Sequence, residues 1–343
     1  MKYIVYIVLC CVSFQKLSAQ DPQFTHLYAI PLYVGPSFAG ATGGTRATLN
    51  ARDQWTAVKK EYVSYSLGAD HFVDEINSGI GLLVFRDHSG YGNLTQTFAA
   101  LQYSYSLNVS KFMSIRPGIQ ASYSQRKIDY SKLLFGDQLS IFEIKDETIE
   151  PQLIDKTSYL DFTASMLGIY KNFWFGYTLD HILRPNQSLL ASKTRVPLRS
   201  VYYAGAKFQV KIKVGNKSTR GFLYTFAHYN KQENFNQALV GAYLSQGRFI
   251  TGVWYRGIPF LKAYDEYINT DAFAFMFGLK QGYFTYLYSY DLTASKLTSD
   301  SAGSHEITIV WNWKSEKTRK QKMKALPCPM HDNPWKKNES QTM

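Results

Sequence analysis

Two histidines stand beside acidic residues, a spacing that would suit acid–base chemistry. His71 follows Asp70, and His88 lies between Asp87 and Ser89. An acid, a base and a serine nucleophile together make a hydrolytic relay. However, the chain contains neither a G-x-S-x-G elbow nor an H-E-x-x-H motif. We therefore predict that the protein is not an enzyme and that these are polar residues of loops and lumen.

The sequence predicts no metal site and no bound cofactor. Cys328 and His331 are close, but two ligands fall short of the four that hold a structural zinc ion. One stretch is rich in acidic residues, namely Asp137, Glu143, Asp146, Glu147 and Glu150. This stretch lacks the D-x-[DN]-x-[DN]-G pattern of a calcium loop, so we predict a solvated loop.

The elements that must position such residues show strict alternation. Between Ala99 and Val109, apolar and Tyr side chains fall on one parity, and mostly Gln, Ser and Asn fall on the other. A period of two is typical of β-strands with two different faces. About fourteen such segments occur, most of them near the ~9–11 residues with which a tilted strand crosses a membrane. They begin near Thr45, Tyr62, Gly79, Leu94, Phe112, Ser158, Phe173, Leu198, Gly221, Phe235, Arg248, Asp271, Tyr283 and Gly303.

The connections between these segments alternate in length. Every second connection is mostly tight, as at Ser110-Lys111, Lys171-Asn172, Gly215-Asn216-Lys217, Gln246-Gly247 and Gln281-Gly282. Three of the others are long, namely Ile128 to Thr157, Arg184 to Val196 and Ile258 to Thr270. Short periplasmic turns and long outer loops are the signature of an outer-membrane barrel. We therefore predict an all-β fold, a closed antiparallel transmembrane β-barrel of about 14 strands.

The two chain ends differ from this alternating middle. Residues 1–19 have a charged start, an apolar run and a small residue at Ala19, which is typical of a secretory signal peptide. Residues 20–44 are predicted to be a short N-terminal plug or periplasmic segment. Residues 45–313 form the predicted barrel, and none of its stretches approaches the roughly 18 apolar residues of a transmembrane helix.

Much of the net charge of +12 lies at the C-terminus. Residues 314–343 carry eight Lys or Arg and three Asp or Glu, a balance of +5. Neither zinc-finger spacing nor a basic helix is present, so we predict no nucleic-acid partner. We expect a basic periplasmic C-terminal tail, either a disordered end or a docking segment that becomes ordered on binding. The residues expected to make its contacts are Leu326, Cys328 and Trp335.

Several short motifs occur in a specific order along the chain. They are QDPQF from Gln20, R…R-x-Q-W ending at Trp55, Phe135-Gly136-Asp137-Gln138, His181 with Pro185-Asn186-Gln187, Val196-Pro197-Leu198-Arg199, Ser304-His305-Glu306-Ile307 and Cys328-Pro329. In this order and spacing they resemble the motifs of the PorP/SprF family of Bacteroidota outer-membrane proteins. Ile30 and Gly35 depart from the family pattern, which often has Asn there.

The resemblance implies a non-enzymatic outer-membrane barrel of the type IX secretion and gliding system. Such a barrel assists export, surface attachment or movement of a large secreted, adhesin-type partner. The partner's C-terminal domain is expected at the outer loops, and periplasmic secretion or gliding-motor components are expected at the tail. The candidate contacts for the secreted partner are Phe135, Gly136, Asp137, Gln138, His181, Pro185, Asn186 and Gln187. The expected location is the Gram-negative outer membrane, in contact with its lipid and with both termini periplasmic.

Two other functions stay open on the sequence alone. Barrels of about fourteen strands also serve as outer-membrane transport channels for apolar solutes, like the fatty-acid transporters. Those channels usually carry a sizeable N-terminal plug domain, whereas here Gln20 to Gly44, about 25 residues, lie between the predicted signal peptide and the first strand. An adhesin or a passive structural barrel is the other possibility.

Overall fold

Strands make up nearly all of the computed structural model, which describes residues 21–57, 62–139, 148, 154–189, 194–214, 217–233, 235–264, 267–294 and 302–313. In chain order they are β1 (Thr45–Gln54), β2 (Tyr62–Val73), β3 (Ser78–Ser89), β4 (Leu94–Tyr105), β5 (Leu107–Asn108), β6 (Met113–Lys127), β7 (Lys156–Tyr170), β8 (Phe173–Asp180), β9 (Arg199–Val214), β10 (Lys217–Gln232), β11 (Phe235–Gln246), β12 (Phe249–Tyr264), β13 (Tyr267–Gln281), β14 (Phe284–Thr293) and β15 (Ser304–Trp313).

The strands form one closed antiparallel ring. β1 pairs with both β2 and β15, so that Thr45 lies between His71 and Trp313. The two-residue strand β5 follows β4 after Ser106, and both strands pair with β6. The fourteen longer strands therefore close a barrel, and the predicted fold class is confirmed.

The two faces of β4 follow the predicted alternation. Leu101 is 69% exposed on the outside of the barrel, whereas Gln102 and Ser104 are buried in the lumen. A transmembrane barrel needs this pattern, because its outer face meets hydrocarbon and its inner face is polar. Closure is equally necessary, since an open edge would leave backbone groups without partners in lipid.

The connections sort by length between the two ends of the barrel. We name the end with residues 74–77, 109–112, 171–172, 215–216, 247–248 and 282–283 the turn end, and the end with the long connections 128–155, 181–198 and 294–303 the loop end. The predicted loop from Ile258 to Thr270 is wrong, because β12 runs to Tyr264 and β13 begins at Tyr267. Register shifts around Gly257 accommodate the extra residues without ending the strand.

Most predicted strand starts lie within one residue of the observed ones. The strand β7 begins at Lys156, two residues before the predicted Ser158. Gly221 and Asp271 differ more, because β10 begins four residues earlier at Lys217 and β13 four residues earlier at Tyr267. In both places a hairpin continues past its neighbours. Beyond the bilayer, lipid no longer requires an apolar outer face, so the pattern that marks a membrane strand is lost.

Residues 21–44 lie inside the ring and form its core with the inner wall. They contain the short helix α1 (Pro31–Val34) and a 3₁₀ turn (Pro36–Phe38), each beginning with a proline whose missing N–H is not needed there. Phe24, Ile30 and Phe38 are each at most 2% exposed. No helix in the described part of the chain is long and apolar enough to span a membrane.

Candidate functional site

The N-terminal segment, residues 21–44, crosses the lumen from one end to the other. Asp21 lies at the loop end, 3.0 Å from the guanidinium of Arg199 at the start of β9. Gly40 lies near the turn end, where its N–H donates to Asp70 Oδ2 at 2.8 Å. Trp313 is also at the turn end, so Asp21 and Trp313 lie at opposite ends of the barrel. The segment therefore begins its path through the lumen at the loop end, and the periplasmic location of both termini stays a prediction.

Arg116 holds the segment near the turn end. Its guanidinium donates to the carbonyl oxygens of Ala39 at 2.6 Å and of Ser37 at 3.3 Å. Ser104 Oγ donates to the same Ala39 oxygen at 2.7 Å. The two backbones approach closely because Gly79 has no side chain, and a Cβ there would lie 1.9 Å from the Ala39 oxygen. The inner wall is therefore shaped for this segment.

A cluster of buried charges binds the segment at Thr25 and His26. The Glu306 carboxylate accepts the backbone N–H groups of Thr25 at 2.7 Å and His26 at 3.0 Å. Arg52 joins Glu306, at 3.1 Å, to Asp291, at 2.8 Å. Buried charges are tolerated when they are paired and hydrogen-bonded in this way. The cluster thus fixes the register of the segment against β1, β14 and β15.

Aromatic rings pack against the segment on a second flank, formed by β10, β11 and β12. The Tyr28 ring stacks on Tyr243, with centroids 4.5 Å apart, and on Trp254 at 5.2 Å. Tyr224 extends the stack through Tyr243 at 4.9 Å. The Tyr28 hydroxyl donates to the sulfur of Met276. Such rings bury large areas and prefer offset stacking, so this flank holds the segment by packing.

Little open space remains beside the segment. Two cavities next to Tyr33 have volumes of about 40 and about 30 Å³. About 10–15 Å³ of such volume holds one water molecule. Between the described residues, these two cavities therefore have room for a few water molecules each.

Five charged residues at the loop end form a network that we name the latch: Asp21, Asp161, Asp180, His181 and Arg199. Arg199 donates to Asp180 at 2.5 Å as well as to Asp21. His181 makes two contacts with carboxylates, from Nε2 to Asp21 at 3.0 Å and from Nδ1 to Asp161 at 2.6 Å. An imidazole donates from both nitrogens only when it is protonated. Two carboxylate partners therefore favour the charged form of His181.

Burial and charge act in opposite directions within the latch. Burial disfavours the charged imidazole of His181, but Asp180 and Asp21 outweigh it and raise the pKa of His181 well above 6.5. Burial alone would raise the pKa of Asp21, but Arg199 and His181 outweigh it and hold that pKa below 3.8. Both groups are therefore charged at neutral pH and attract each other.

Three members of the latch also have the composition of a metal site. Ligand atoms of Asp161, Asp180 and His181 lie within 4.8 Å of one another. However, both ring nitrogens of His181 contact carboxylates, and Asp180 binds the guanidinium of Arg199. These groups are used for ion pairing, and the guanidinium opposes a second cation.

The predicted contact motif Phe135 to Gln138 forms a single turn on the long connection 128–155. The 3₁₀ turn Gly136–Gln138 follows Phe135, whose N–H donates to Gln138 Oε1 at 2.9 Å. Asp137 Oδ1 accepts the hydroxyl of Thr148 at 2.9 Å. These motif residues give the loop its shape.

Asn186 organises the second predicted motif. Its Oδ1 accepts the N–H of Thr194 at 2.9 Å, and the N–H of Gln187 donates to the Thr194 carbonyl at 3.1 Å. Pro185, Asn186 and Gln187 thus belong to one closed turn of the connection 181–198. His181 lies apart from them, because its side chain is in the latch.

Contacts between connections join the two motifs and a third loop. The Tyr130 hydroxyl donates to the carbonyls of Ile154 at 3.4 Å and Leu189 at 3.3 Å. The N–H of Ile154 donates to the same Leu189 carbonyl at 3.2 Å, and the N–H of Asp129 donates to the Gly92 carbonyl at 2.8 Å. The described residues of connections 90–93, 128–155 and 181–198 are therefore joined at one surface.

Exposed apolar side chains stand on this surface, and we name them the loop-end patch. Leu134 is 60% exposed and Leu139 is 58% exposed. The other members are Tyr91, Ile154 and Leu183. Apolar groups gathered on loops are typical of an interaction site.

The acid–base pairs considered from the sequence are not assembled. Asp70 is buried in the lumen, whereas His71 bonds Thr45 Oγ1 at 2.8 Å on the exposed face. Asp87 accepts from Ser64, and His88 contacts a threonine hydroxyl. Neighbours in a strand face opposite sides, so neither histidine contacts its acidic neighbour.

Some predicted residues lie outside the described residues. They are the tail contacts Leu326, Cys328 and Trp335, together with His331 and the acidic residues Glu143, Asp146, Glu147 and Glu150. Of the acidic stretch, the structure describes Asp137.

The latch as a group was missed from the sequence. Asp161 and Asp180 were not singled out, and Asp21 and Arg199 were noted as motif residues without a role. A charged residue on the inward parity of a strand near the loop end was the available signal. That signal does not reveal which charges meet.

A protein-family model matches most of the chain. Residues 16–311 match the family described as Type IX secretion system membrane protein PorP/SprF. The chain belongs to the PorP/SprF family. As a family member with a closed barrel, it is an outer-membrane component of the type IX secretion system, and the resemblance found in its motifs is confirmed.

Solved outer-membrane barrels resemble this family member at low identity. Omp33 of Acinetobacter baumannii has a TM-score of 0.43 and 7% identity, over 79% of this chain and 98% of that chain. A FadL homologue of Pseudomonas aeruginosa has a TM-score of 0.41 and 10% identity, over 86% and 100%. CdiB from Acinetobacter baumannii has 0.41 and 8%, over 78% and 60%. No curated protein matches the chain.

Proposed function

We propose that this barrel binds a large exported protein at its loop end and retains or moves it at the cell surface. The loop-end patch is the observation that carries the proposal. Three connections are tied together there and present apolar side chains to the solvent. In this role the barrel is a non-enzymatic partner-binding protein, and an adhesin-type partner would use its C-terminal domain for the contact.

The filled lumen favours binding over conduction. Residues 21–44 contact the wall at both ends of the barrel, through Asp21 and through Gly40. A barrel has no energy source of its own, so it acts by binding one state of its partner better than another. A rigid rim above a filled lumen suits that task.

The asymmetry of the connections supports an orientation for the barrel. Long connections of outer-membrane barrels face outward and short turns face the periplasm. In this orientation Asp21 is at the outer mouth, and β15 ends at the periplasmic side with Trp313. The tail that follows then reaches periplasmic secretion or motor components, with Leu326, Cys328 and Trp335 as its contacts.

Replacing Leu133–Glu150 by a flexible linker tests the outer site. We expect the exported partner to be released into the medium while the barrel still inserts, as judged by its heat-modifiable migration in gels. Unchanged surface retention would contradict the proposal.

Point variants separate the patch from the rest of the loop. Leu134→Ser, Leu139→Ser and Ile154→Ser together should reduce retention as strongly as the deletion, because they remove the apolar contacts. The matched control is Lys127→Gln, Lys132→Gln and Lys156→Gln, three exposed residues of the same end. Equal loss in the control would count against an apolar site.

Single-channel conductance distinguishes the transport alternative. The purified barrel should show no stable conductance, and the variant Asp21→Ala with Arg52→Met should open it by loosening the segment. Steady conductance of the unmodified barrel would favour a channel for apolar solutes instead.

A further inference from the structure

The hairpin of β9 and β10 extends past its neighbours at the turn end. β8 begins at Phe173, opposite Ala206, so the rest of β9 has no partner in β8. The pairing of β10 with β11 ends at Phe222 opposite Ser245. We name residues 208–214 and 217–221 the turn-end ribbon. The shorter strand, residues 217–221, extends about 16 Å beyond the neighbouring strands, at about 3.3 Å per residue.

The ribbon concentrates positive charge without compensation. Lys211 lies directly opposite Arg220 in the register, and both are exposed, as is Lys213. Like charges opposite each other destabilise a strand pair. From Arg199 to Gln232 the two strands contain no Asp or Glu, and no described carboxylate forms a salt bridge with these three residues. A negatively charged partner would relieve this repulsion between like charges. The arrangement is therefore consistent with a surface that binds negative charge.

The direction of the charges selects the kind of partner. In β9, Lys211 and Lys213 share the parity of Tyr203, whose side chain is buried in the lumen. Residues on the other parity include Phe208, which is 42% exposed and lies 6.0 Å from the lipid-facing ring of Phe173. The apolar face is therefore toward the bilayer, and the cationic face is toward the barrel axis. Lipid headgroups would meet the wrong face.

The chain's own tail is also unsuited to this face. It follows Trp313 at the same end, and residues 314–343 carry a balance of +5. Two basic segments repel each other, and together they raise the positive potential of this end. An acidic molecule would therefore be attracted to this face.

We propose that the cationic face of the turn-end ribbon binds an acidic segment of a periplasmic protein. The proposal rests on the proposed orientation, which places the turn end in the periplasm. Charge complementarity of this kind speeds association and selects partners. The site differs from the loop-end patch in position and in chemistry.

A model acidic peptide tests the ribbon. The full chain in phosphatidylcholine nanodiscs is titrated with a polyglutamate peptide of about 20 residues, long enough to span the ribbon as an extended chain. The variant Lys211→Gln, Lys213→Gln, Arg220→Gln should raise the Kd by about tenfold, since three exposed contacts are lost. The control variant Lys127→Gln, Lys132→Gln, Lys156→Gln removes equal charge at the loop end. Lys127 also lies opposite Lys156, but Asp129 and Asp155 lie beside these lysines, so the control should change the Kd by less than about twofold. Added salt should weaken binding to the unmodified chain.

The outcomes separate the competing explanations. Equal Kd values for the ribbon variant and the unmodified chain would overturn the proposal. A second set of nanodiscs contains phosphatidylglycerol as well, and its bound copies are counted by mass spectrometry. A ribbon variant that loses bound phosphatidylglycerol there while its polyglutamate affinity stays the same would also overturn the proposal. Should the triple variant fail to insert, the single change Lys213→Gln must give a smaller loss of the same sign. The titration contains no exported partner. Its result therefore tests the ribbon even if the loop-end proposal fails.

Discussion

Two flanks of the same lumen bind the N-terminal segment by different means. The flank of β1, β14 and β15 uses buried charges, with Arg52 between Glu306 and Asp291. The flank of β8 to β12 uses mainly rings, with Tyr243 and Trp254 against the segment. Arg256 of β12 marks the boundary between the flanks, because it pairs with Asp291 of the charged cluster. Hydrogen bonds to charges depend on direction, whereas ring packing depends on area and shape. The charged flank therefore sets the register of the segment. The aromatic flank buries apolar surface of the segment and depends less on exact positions.

Breaking the charged flank should have the largest effect. Arg52→Met removes the guanidinium that Glu306 binds, whereas Asp291 keeps its ion pair with Arg256 at 3.0 Å. Leaving Glu306 buried without that cation should cost about 3–5 kcal/mol of unfolding free energy. Urea unfolding in lipid vesicles measures this loss. The exposed Arg220→Met is the control and should change stability by less than about 0.5 kcal/mol. A loss for Arg52→Met no larger than the control's would show that the charges do not hold the segment.

Breaking the aromatic flank should cost somewhat less. Tyr28→Ala removes the ring between Tyr243 and Trp254 and should cost about 3 kcal/mol. Tyr28→Phe keeps the stacking and should cost about 1 kcal/mol or less. The same urea titration gives both values. Equal losses in the two variants would mean that the hydroxyl, and not the packing, is what matters on this flank.

Glycines on the aromatic flank offer a finer test of its packing. Gly176 faces Tyr203 across β8 and β9, and a Cβ at Gly176 would lie 2.2 Å from the Tyr203 ring. Gly176→Val should cost about 1–3 kcal/mol by displacing that ring. Combining it with Tyr203→Leu should recover part of the loss relative to the sum of the two single changes. Strict additivity would contradict the close packing of ring on glycine.

The sequence predicts the wall of the barrel better than its contents. Every second residue of each strand faces lipid and must be apolar. A few residues of sequence are therefore enough to predict that Leu101 faces outward and Gln102 inward. Arg52 and Trp254 both face inward by the same rule. Parity does not show that Arg52 belongs to the charged flank and Trp254 to the aromatic flank. The flank of each residue depends on which strands lie next to the N-terminal segment.

The candidate site shows the same limit. The motif resemblance singled out His181, yet the role of its side chain depends on Asp21, 160 positions earlier in the chain. Local sequence carries no information on such a contact. The turn around Asn186 was easier to anticipate, since Pro and Asn favour turns. The predicted start of β10 at Gly221 was late compared with the observed start at Lys217. The apolar pattern that marks a membrane strand does not extend into the turn-end ribbon.

The latch should give the smallest effect, and one that depends on pH. The folded pKa of His181 is raised, so its stabilisation is complete below 6.5 and is lost as the pH rises through the raised value. The folded pKa of Asp21 is lowered, so its contribution is present above 3.8 and is lost as the pH falls through the lowered value. The latch is therefore strongest between these limits and weakens toward alkaline pH.

Hydrogen exchange of residues 21–33 measures the latch directly, because this part of the segment is released first if the latch opens. In the unmodified chain we expect protection to fall by about 1–2 kcal/mol between pH 6 and strongly alkaline pH, after correction for intrinsic rates. His181→Gln should show the lower protection already at pH 6 and no alkaline step. His88→Gln, which alters a histidine bonded to Thr95 alone among described side chains, should behave like the unmodified chain. An alkaline step that persists in His181→Gln would assign the pH dependence to another group and leave the charged flank as the main anchor of the segment.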